Sequence, residues 1–343
     1  MTNQKKITIY DIAENLNIST GTVCRALNNT GRVSEQTRQR VLETAEKLGY
    51  KANHAAQALR RNPIYIGGIL CCNMPQYLDE IKNGMEQAFD ELSEYNVFPD
   101  IRVIADKNAE DCPNDILAIL AEFEEKKYNG AVLFLSGSNS FARIPVRRLC
   151  ENGMSIATVA NDITDSGRTM HISADGHAAG MLASEILSLC CAGQPVAILT
   201  GSLSTAIHKS KIDGFQSFPG EFSEIRIYEH GDSEALAKKQ IHNILSDPSR
   251  PQGVYITSAI VDRICRDILA HDWHPKIVAT DLFEDTQQLM QSGEISATIY
   301  QNPLQQGYLA VTHLYEYISG RANHDDVLLV PQAVFRSNMS SIL

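Results

Sequence analysis

Polar side chains follow seven apolar segments of the chain, at the points where each segment ends. Amides, hydroxyls, two carboxylates, a lysine and aromatic rings occupy these positions. If the segments are parallel strands, their carboxyl ends form the ligand site of an α/β sheet. Hydroxyl and amide groups beside stacking rings would suit a sugar or a polyol. The candidate ligand-binding residues are Gln76, Tyr77, Ser136, Asn161, Asp162, Ser204, His208, Lys211, Ser258, Asp281, Phe283 and Gln301.

Each of these positions is a weak signal alone, because polar residues end strands in any α/β protein. Their joint occurrence carries the prediction. Gly201-Ser202 opens a predicted helix, and a helix N-terminus can bind an anion, so a sugar phosphate is compatible with the pattern without being required.

Enzymatic function finds little support in the sequence. GxSxG, GxGxxG, HExxH and P-loop motifs are absent, and a triad of His208, Asp213 and Asp281 is a combination that arises by chance in a long chain. The eight cysteines include no CxxC pair, and the histidines are scattered, so we expect no metal site and no cofactor. The cysteines, mostly in or beside apolar runs, are expected to be buried structural thiols.

The first 61 residues contain a second group of candidate functional residues. Apolar spacing predicts three short helices, with Thr8 and Ser19 as N-caps, a start at Ser34 and a stop at Gly49. The second helix places small polar residues and Arg25 on its open face. Two helices joined by a tight turn, the second with this open face, form a helix-turn-helix, although any small three-helix bundle has similar caps.

Charge favours the DNA-binding interpretation. Residues 1–61 carry ten basic and five acidic side chains, a net charge of +5, whereas the whole chain carries −11 and the remainder therefore −16. A basic module on an acidic body can contact phosphates at one end and repel DNA elsewhere.

The remainder of the chain alternates apolar strands with helical stretches. Nine strands from residue 65 to residue 279 are separated by helices, and the tail adds strand 297–300, helix 303–319 and strand 327–330. This βαβ repetition predicts parallel sheets covered by helices, in two doubly wound halves. The predicted fold class is therefore α/β, with an all-α headpiece and two doubly wound parallel-sheet lobes.

The segments ITIYDIAENLNISTGTVCRALNN and GRVSEQTRQRVLETAEKLGYKANHAAQALRR resemble the headpiece and hinge of the LacI/GalR family of bacterial transcriptional regulators. The body resembles the two-lobed periplasmic-type sugar-binding fold of that family. The resemblance implies contact with a double-stranded DNA operator by a homodimer, with a tetramer left open, and a sugar-like small-molecule effector. It implies the DNA-binding residues Thr8, Tyr10, Ser19, Thr20, Gly21, Thr22, Arg25, Asn28, Arg32, Thr37, Asn53 and Leu59.

The hinge is expected to span residues 51–62. Such a segment is too short to be a stable isolated helix, and the resemblance implies that it orders in the DNA minor groove with Leu59 wedged between base pairs. A solvated linker is the alternative. Ala52 stands where family members often have proline, so we expect the first residues of the hinge to be less rigid.

The resemblance also assigns Asp281 and Gln301 to ligand binding, and shows departures from the family pattern. Lys211 stands where an arginine is usual, and a lysine cannot make the bidentate contact of a guanidinium. Ser258-Ala259 replaces the common Asn-Asp or Gly-Asp. We therefore expect a pocket unlike that of the best-known hexose or purine responders.

These observations predict three parts: a headpiece of residues 1–50, the hinge, and an effector-binding and dimerisation domain of residues 63–343. The N-lobe is expected at about 63–161 and 294–323, and the C-lobe at about 162–293 and 324–343. The chain has no run of eighteen apolar residues, and MTNQKKITIY lacks an apolar signal core, so a cytoplasmic protein without membrane contact is expected.

The predicted function is a ligand-responsive repressor that binds a palindromic operator and senses a small polar metabolite. A regulator that is independent of ligand or depends on a protein corepressor, with a vestigial cleft, is one alternative. A solute-binding protein carrying a spurious bundle is another, and the lack of a signal peptide counts against it. The effector, the operator and the direction of the response stay open.

Overall fold

The computed structural model describes residues 7–27, 31, 33–50, 62–72, 74–104, 112–135, 137, 139–218, 220–258, 260–271 and 273–342. The chain divides into two units, a headpiece that ends at Asn62 and a body that contains most of residues 63–343. No helix in these ranges combines the length and the apolar character needed to cross a lipid bilayer.

The headpiece contains helices α1 (Ile9–Leu16), α2 (Thr20–Leu27) and α3 (Glu35–Leu48). The predicted capping box is present, since the Asp11 carboxylate accepts hydrogen bonds from the Thr8 N–H at 2.7 Å and the Thr8 hydroxyl at 2.6 Å. The predicted cap Ser19 accepts from the Thr22 N–H at 3.1 Å. The core of the bundle consists of the buried residues Ile12, Ala13, Val23, Ala26, Val41 and Ala45.

The body is built from strands and helices in alternation. Its described strands are β1 (Ile64–Cys71), β2 (Val97–Ile104), β3 (Gly130–Leu135), β4 (Ser155–Val159), β5 (Met170–Ala174), β6 (Pro195–Thr200), β7 (Glu224–Glu229), β8 (Gly253–Ile256), β9 (Lys276–Thr280), β10 (Ala297–Tyr300), β11 (Val327–Leu329) and β12 (Gln332–Val334). Its helices are α4 (Pro75–Leu92), α5 (Cys112–Glu125), α6 (Arg143–Glu151), α7 (Gly176–Cys191), α8 (Ala206–Ser217), α9 (Glu234–Leu245), α10 (Val261–Leu269), α11 (Glu284–Ser292) and α12 (Pro303–Ile318).

The strands form two six-stranded sheets, one in each lobe. The N-lobe sheet has the order β11-β5-β4-β3-β1-β2, with every neighbouring pair parallel. The C-lobe sheet has the order β12-β10-β9-β8-β6-β7, and only the β10–β12 pair is antiparallel. The α/β class with two parallel-sheet lobes is confirmed.

The chain crosses between the lobes at other points than the sequence suggests. Strands β5 and β11 pair with each other in the N-lobe sheet, whereas the predicted division places both in the C-lobe. Strand β10 pairs with β9 in the C-lobe sheet, whereas it was assigned to the N-lobe. The crossings therefore follow residues 174, 300 and 329. An apolar strand carries no mark of the sheet that it joins, because its partner is distant in sequence.

Helices α7 and α8 of the C-lobe pack at a distance that only glycine allows. A Cβ atom on Gly180 would lie 1.9 Å from the carbonyl oxygen of Lys211, and one on Gly214 would lie 2.0 Å from that of His177. The two backbones therefore touch, and this contact fixes the part of α8 that carries His208 and Lys211.

The cysteines differ in exposure. Cys71, Cys72, Cys112, Cys191 and Cys265 are buried, as expected of structural thiols, while Cys24 and Cys150 are half-buried. Cys190 is exposed, because it lies on the outer side of the last turn of α7.

Candidate functional site

Helix α2 presents the candidate DNA-reading face of the headpiece. Val23 and Ala26 are buried in the bundle, while Gly21 and Arg25 are exposed on the opposite side. Tyr10 of α1 is also exposed, with 70% of its surface accessible. The helical period of 3.6 residues thus separates the residues that hold the bundle from those that can contact a partner.

The Arg25 side chain is positioned by two glycines. A Cβ atom on Gly31 would lie 3.0 Å from Arg25 Cδ, so the aliphatic stem runs along the Gly31 backbone, which has a φ of +74°. A Cβ atom on Gly21 would lie 3.9 Å from Arg25 Nη2. The guanidinium therefore reaches back over the open face of α2, where it can meet the edge of a base.

The candidate phosphate-contacting residues Ser19 and Thr37 belong to hydrogen-bonded pairs at the helix caps. Ser19 and Thr22 share a hydrogen bond of 2.9 Å between their hydroxyls, and Ser34 and Thr37 share one of 2.8 Å. Both pairs lie at helix N-termini, whose N–H groups favour anions. Thr8 is held in the capping box of α1, and Thr20 is half-buried at the start of α2. Asn28, Arg32, Asn53, Leu59 and the cleft candidate Ser136 lie outside the described residues.

The carboxyl ends of the strands in both lobes border one cleft, as predicted from the strand-end rule. Seven of the predicted ligand residues line its central cavity: Tyr77, Asn161, His208, Lys211, Ser258, Asp281 and, at a crossing between the lobes, Gln301. The cavity also contacts Phe134, Thr205, Ile207, Asp232, Thr257 and Gln306.

Asp281 is the most deeply buried acid of the cleft. Its side chain is 0% exposed, and its two oxygens accept from the Gln301 N–H at 3.1 Å and from Gln301 Nε2 at 2.7 Å. Burial raises the pKa of this carboxyl to about 6, against the opposing attraction of Lys211 and the hydrogen bonds from Gln301. Asp281 also has a φ of +66°, an unusual backbone conformation for a residue other than glycine. Such features cluster at binding sites.

Lys211 lies close to Asp281 but donates a hydrogen bond to the backbone of Thr257 instead. Its Nζ donates to the carbonyl oxygen of Thr257 at 2.8 Å, and the side chain is 3% exposed. Burial lowers the pKa of the ammonium to about 8, while Asp281 and Asp232 act to raise it. A buried lysine with one backbone partner retains two further N–H donors for a ligand.

A histidine pair surrounds Asp232 at the end of β7. The Asp232 N–H donates to His230 Nδ1 at 3.1 Å, and Asp232 Oδ2 lies 3.7 Å from His208 Nε2. Burial lowers the pKa of His230 to about 4. The pKa of Asp232 is lowered as well: burial acts to raise it, and the neighbouring histidines and Lys211 outweigh that effect.

The N-lobe wall of the cleft is aromatic and amide-bearing. The Tyr77 ring lies 5.6 Å from that of Phe134 and 6.2 Å from that of Phe283, the latter edge-to-face. Gln306 Nε2 donates to the carbonyl oxygen of Gln301 at 2.9 Å and contacts the Tyr77 hydroxyl at 3.3 Å. Burial raises the pKa of Tyr77 well above its ordinary value, so the phenol stays protonated.

Four predicted ligand residues lie away from the central cavity. Gln76 and Phe283 border a separate opening on one side of the cleft, where Gln76 is exposed. Asp162 and Ser204 line a cavity of about 550 Å³ on the other side, which shares Asn161 with the centre.

Asp162 also has a structural role that the sequence did not indicate. Arg168 Nη2 donates to it at 2.7 Å, and Arg168 Nη1 donates to Asp326 at 2.6 Å. Burial acts to raise the pKa of Asp162, and Arg168 and His171 outweigh it, so that the pKa is lowered. The contacts of Arg168 with Asp162 and Asp326 tie the segment after β4 to the segment before β11. Asp326, the second partner of Arg168, is more than 150 residues distant from it in the chain.

Several cavity residues were not identified from the sequence, and Asp232 and Gln306 are two of them. Asp232 follows strand β7, and the strand-end rule applied to that strand would have pointed to it. Gln306 lies one turn inside α12, and its only signal is its closeness to Gln301. Both of these side chains contact the cavity.

Two sequence families match the chain. The profile described as "Bacterial regulatory proteins, lacI family" matches residues 8–53, and the "Periplasmic binding protein domain" matches residues 69–322. A solute-binding protein of an ABC transporter from Burkholderia graminis, solved in complex with D-arabinose, has the same fold as the body. It superimposes with a TM-score of 0.71 at 21% identity over 81% of this chain and 97% of its own.

Curated relatives are transcriptional regulators rather than enzymes. The HTH-type transcriptional regulator DegA of Bacillus subtilis is 26% identical over 213 residues, which is 62% of this chain. That match spans 60% of the length of DegA. The ribose operon repressor of Haemophilus influenzae is 23% identical over 98% of this chain and 99% of its own length. With its helix-turn-helix headpiece and its periplasmic-binding-protein-like body, the chain belongs to the LacI family of bacterial transcriptional regulators.

Proposed function

We propose that this protein is a repressor that binds a palindromic DNA operator as a dimer and senses a small polar metabolite, a sugar, polyol or sugar derivative, in the cleft between its lobes. The observation that carries the proposal is the buried group of Lys211, Asp281 and Gln301 at the strand ends. Buried ionisable groups destabilise a fold unless they are paired, so they are characteristic of binding sites. The names of the ribose operon repressor and of the arabinose-binding protein support a sugar-like ligand.

The DNA contacts are assigned from the family positions that these residues match, together with the chemistry of an arginine, which can donate two hydrogen bonds to guanine. Arg25, Thr20 and Gly21 would lie against base edges in the major groove, while Ser19, Thr37 and Asn28 would position the headpiece on phosphates. One helix-turn-helix reads half of a palindrome, so two copies are required for a complete operator. The remaining proposed contacts are Thr8, Tyr10, Thr22 and Arg32 in the headpiece, and Asn53 and Leu59 in the hinge.

A ligand-independent regulator with a vestigial cleft predicts a different result. The deciding experiment is a thermal-shift screen of sugars, polyols and sugar phosphates with the full chain. An effector binds the native state and raises its melting temperature, by an amount that grows with ligand concentration. A screen in which no compound stabilises the protein, while operator binding is intact, would favour the vestigial cleft.

Communication between ligand and DNA is assigned to the hinge of residues 51–62. Two hinges would fold against each other in the minor groove, with Leu59 from each wedging the central base step. Lobe closure would change the distance between the two points at which the hinges of the dimer leave the body. A changed distance would favour or oppose the folding of the paired hinges. Linkage requires that operator DNA change effector affinity by the same factor as effector changes operator affinity.

Amide hydrogen exchange across residues 52–61 tests this coupling. Protection that rises on operator binding supports folding on DNA. Equal protection in the free protein and in the complex would reject that mechanism without affecting the assignment as a repressor. Leu59→Ala should weaken operator binding and leave the effector affinity of the free protein unchanged.

A further inference from the structure

A chain of hydrogen bonds determines which atoms face Asp232 in the cleft. The Thr257 hydroxyl donates to Thr200 Oγ1 at 2.8 Å, and the same Thr257 oxygen lies 3.0 Å from His208 Nδ1. Because the one hydroxyl proton of Thr257 is directed to Thr200, His208 Nδ1 must be the donor in the second contact. In the neutral imidazole, His208 Nε2 is then an acceptor, and it is the nitrogen that lies 3.7 Å from Asp232 Oδ2.

The Asp232 carboxylate lacks a donor within hydrogen-bond distance among the described residues. His208 Nε2, at 3.7 Å from Asp232 Oδ2, is too distant for a hydrogen bond, and Asp232 Oδ1 is shielded from solvent without a partner. Its own N–H is donated to His230. Buried carboxylate oxygens are normally hydrogen-bonded, so each exception requires a physical explanation.

Gly201 provides the space in which these two side chains approach each other. A Cβ atom on Gly201 would lie 2.3 Å from His208 Nε2 and 2.7 Å from Asp232 Oδ2. Any side chain at this position would force the pair apart. When His208 is neutral, Asp232 Oδ2 and His208 Nε2 thus form a pair of acceptors on the C-lobe wall of the cleft.

The charges of the described residues that line the cavity favour a ligand that donates hydrogen bonds and carries a positive charge. Two carboxylates, Asp232 and Asp281, oppose the one ammonium of Lys211. Asp281 is hydrogen-bonded to Gln301, whereas Asp232 is not paired in this way. Glu80 adds a further negative charge near Asp281. An excess of negative charge in a cleft of an acidic body attracts cations and repels anions.

We propose, on the basis of the sugar-like effector proposed above, that Asp232 is a ligand-binding residue that sets specificity. The cleft would prefer a polyol that carries an amino group to its neutral parent, and the neutral parent to a polyol that carries a carboxylate or a phosphate. An ammonium group has several N–H donors and can donate to Asp232 and His208 at once, whereas a hydroxyl has one. An anionic group would meet two acceptors and a carboxylate charge.

Isothermal titration calorimetry of the full chain with matched sugars tests this order. The probes are D-glucosamine, D-glucose, D-glucuronate and glucose 6-phosphate, with the corresponding galactose series. In the wild type, each step from amino to neutral to anionic should weaken binding at least about tenfold. Asp232→Asn should reduce these steps to about threefold or less, because the charge is lost and the shape is kept. Glu221→Gln removes an exposed carboxylate outside the cleft and should keep the wild-type order.

Salt dependence gives a second measurement that needs no variant. Added sodium chloride should weaken binding of the amino sugar and leave that of the neutral parent almost unchanged. Anionic probes that bind as tightly as the neutral parent, or an order that Asp232→Asn leaves unaltered, would overturn the role of Asp232 while the sensing function stands. Absence of binding by every probe to the wild type, with operator binding intact, would reject the sugar-like effector itself.

Discussion

The headpiece and the cleft differ in how they hold their polar side chains. Arg25 and Tyr10 are exposed on a bundle whose core has six buried residues, whereas Asp281 and Lys211 are 0% and 3% exposed between two six-stranded sheets. An exposed charge loses little hydration on folding, so a small core can present it. A buried charge loses most of its hydration and needs partners fixed by a larger structure.

This difference also separates the two kinds of recognition. The headpiece would bind a polyanion through exposed groups on one short helix and on the caps of its neighbours. The cleft would bind a small molecule through groups from strands β6, β7, β8 and β9, which are far apart in sequence. Substitutions in the cleft should therefore have the larger effects, because they leave buried partners unpaired.

Asp281→Ala tests the cleft half of the comparison and should have the largest effect. The substitution removes a buried acceptor of two hydrogen bonds from Gln301, and with it the proposed contact to the effector. We expect effector affinity to fall by roughly two orders of magnitude, equivalent to about 3 kcal/mol. Calorimetry with an effector found in the thermal-shift screen provides the measurement.

The matched control is Glu284→Ala, which removes an exposed carboxylate three residues away. Operator affinity without effector should be nearly unchanged in both variants. Normal effector affinity in Asp281→Ala would show that the cleft assignment is wrong.

The pH dependence of stability should show two opposite contributions from the cleft. His230 has a pKa of about 4 in the folded protein, below its ordinary value of about 6.5, so the unfolded chain binds its proton more readily. Its contribution is fully present above pH 6.5 and is lost as the pH falls toward 4. Asp281 has a raised pKa of about 6, so its contribution is largest below pH 3.8 and falls as the pH rises toward 6. The two slopes oppose each other between pH 4 and 6.

Two variants separate these slopes. Relative to the wild type, His230→Gln should make the free energy of unfolding rise less, or fall more, between pH 4 and 6, and Asp281→Asn should make it rise more. Each contribution amounts to about 3 kcal/mol at most over its full range. Urea denaturation at fixed protein concentration measures both, since assembly affects apparent stability. Identical pH profiles of the two variants would contradict the opposed shifts.

The sequence predicted the local features of both regions and missed the contacts between distant segments. Thr8, Asp11 and Ser19 form their predicted caps because each bond joins residues three apart. The pairing of β5 with β11 and the ion pair of Arg168 with Asp326 join segments more than 150 residues apart, and no local pattern marks them.

The cleft shows the same limit at the level of single residues. The strand-end rule brought most of the predicted ligand residues to one cavity, because parallel strands end at the same edge. It could not indicate that Arg168 holds Asp162, or that Asp232 would lack a hydrogen-bonded partner. Those properties depend on neighbours brought together only by the fold.

Arg25→Ala tests the headpiece half of the comparison. An arginine that donates two hydrogen bonds to guanine contributes about 1–3 kcal/mol to discrimination, so the variant should lose this much against the best site and bind with broader sequence preference. Fluorescence anisotropy on the best site and on single-base variants provides the measurement. Arg40→Ala, which removes an exposed charge from α3, should at most weaken binding equally on all sequences. An intact preference in Arg25→Ala would assign Arg25 to phosphate contact.

Gly21→Ala should have the smallest effect and separates folding from recognition within one helix. The nearest atoms to the added methyl group would be Ser19 Oγ at 3.8 Å and Arg25 Nη2 at 3.9 Å, which are ordinary contacts. The headpiece can accept this methyl group without moving, and alanine favours a helix over glycine by about 0.5–1 kcal/mol. Thermal unfolding should therefore show a slightly more stable headpiece.

The same methyl group would face the major groove beside the Arg25 guanidinium, where glycine offers no side chain to a base. Operator preference should change at the base pair opposite position 21 and stay the same at the pair opposite Arg25. Gly31→Ala is the contrasting variant, because its φ of +74° and its 3.0 Å approach to Arg25 Cδ oppose any side chain. It should destabilise the headpiece and weaken the Arg25 preference together. A loss of stability in Gly21→Ala would show that α2 does not present this residue on an open face.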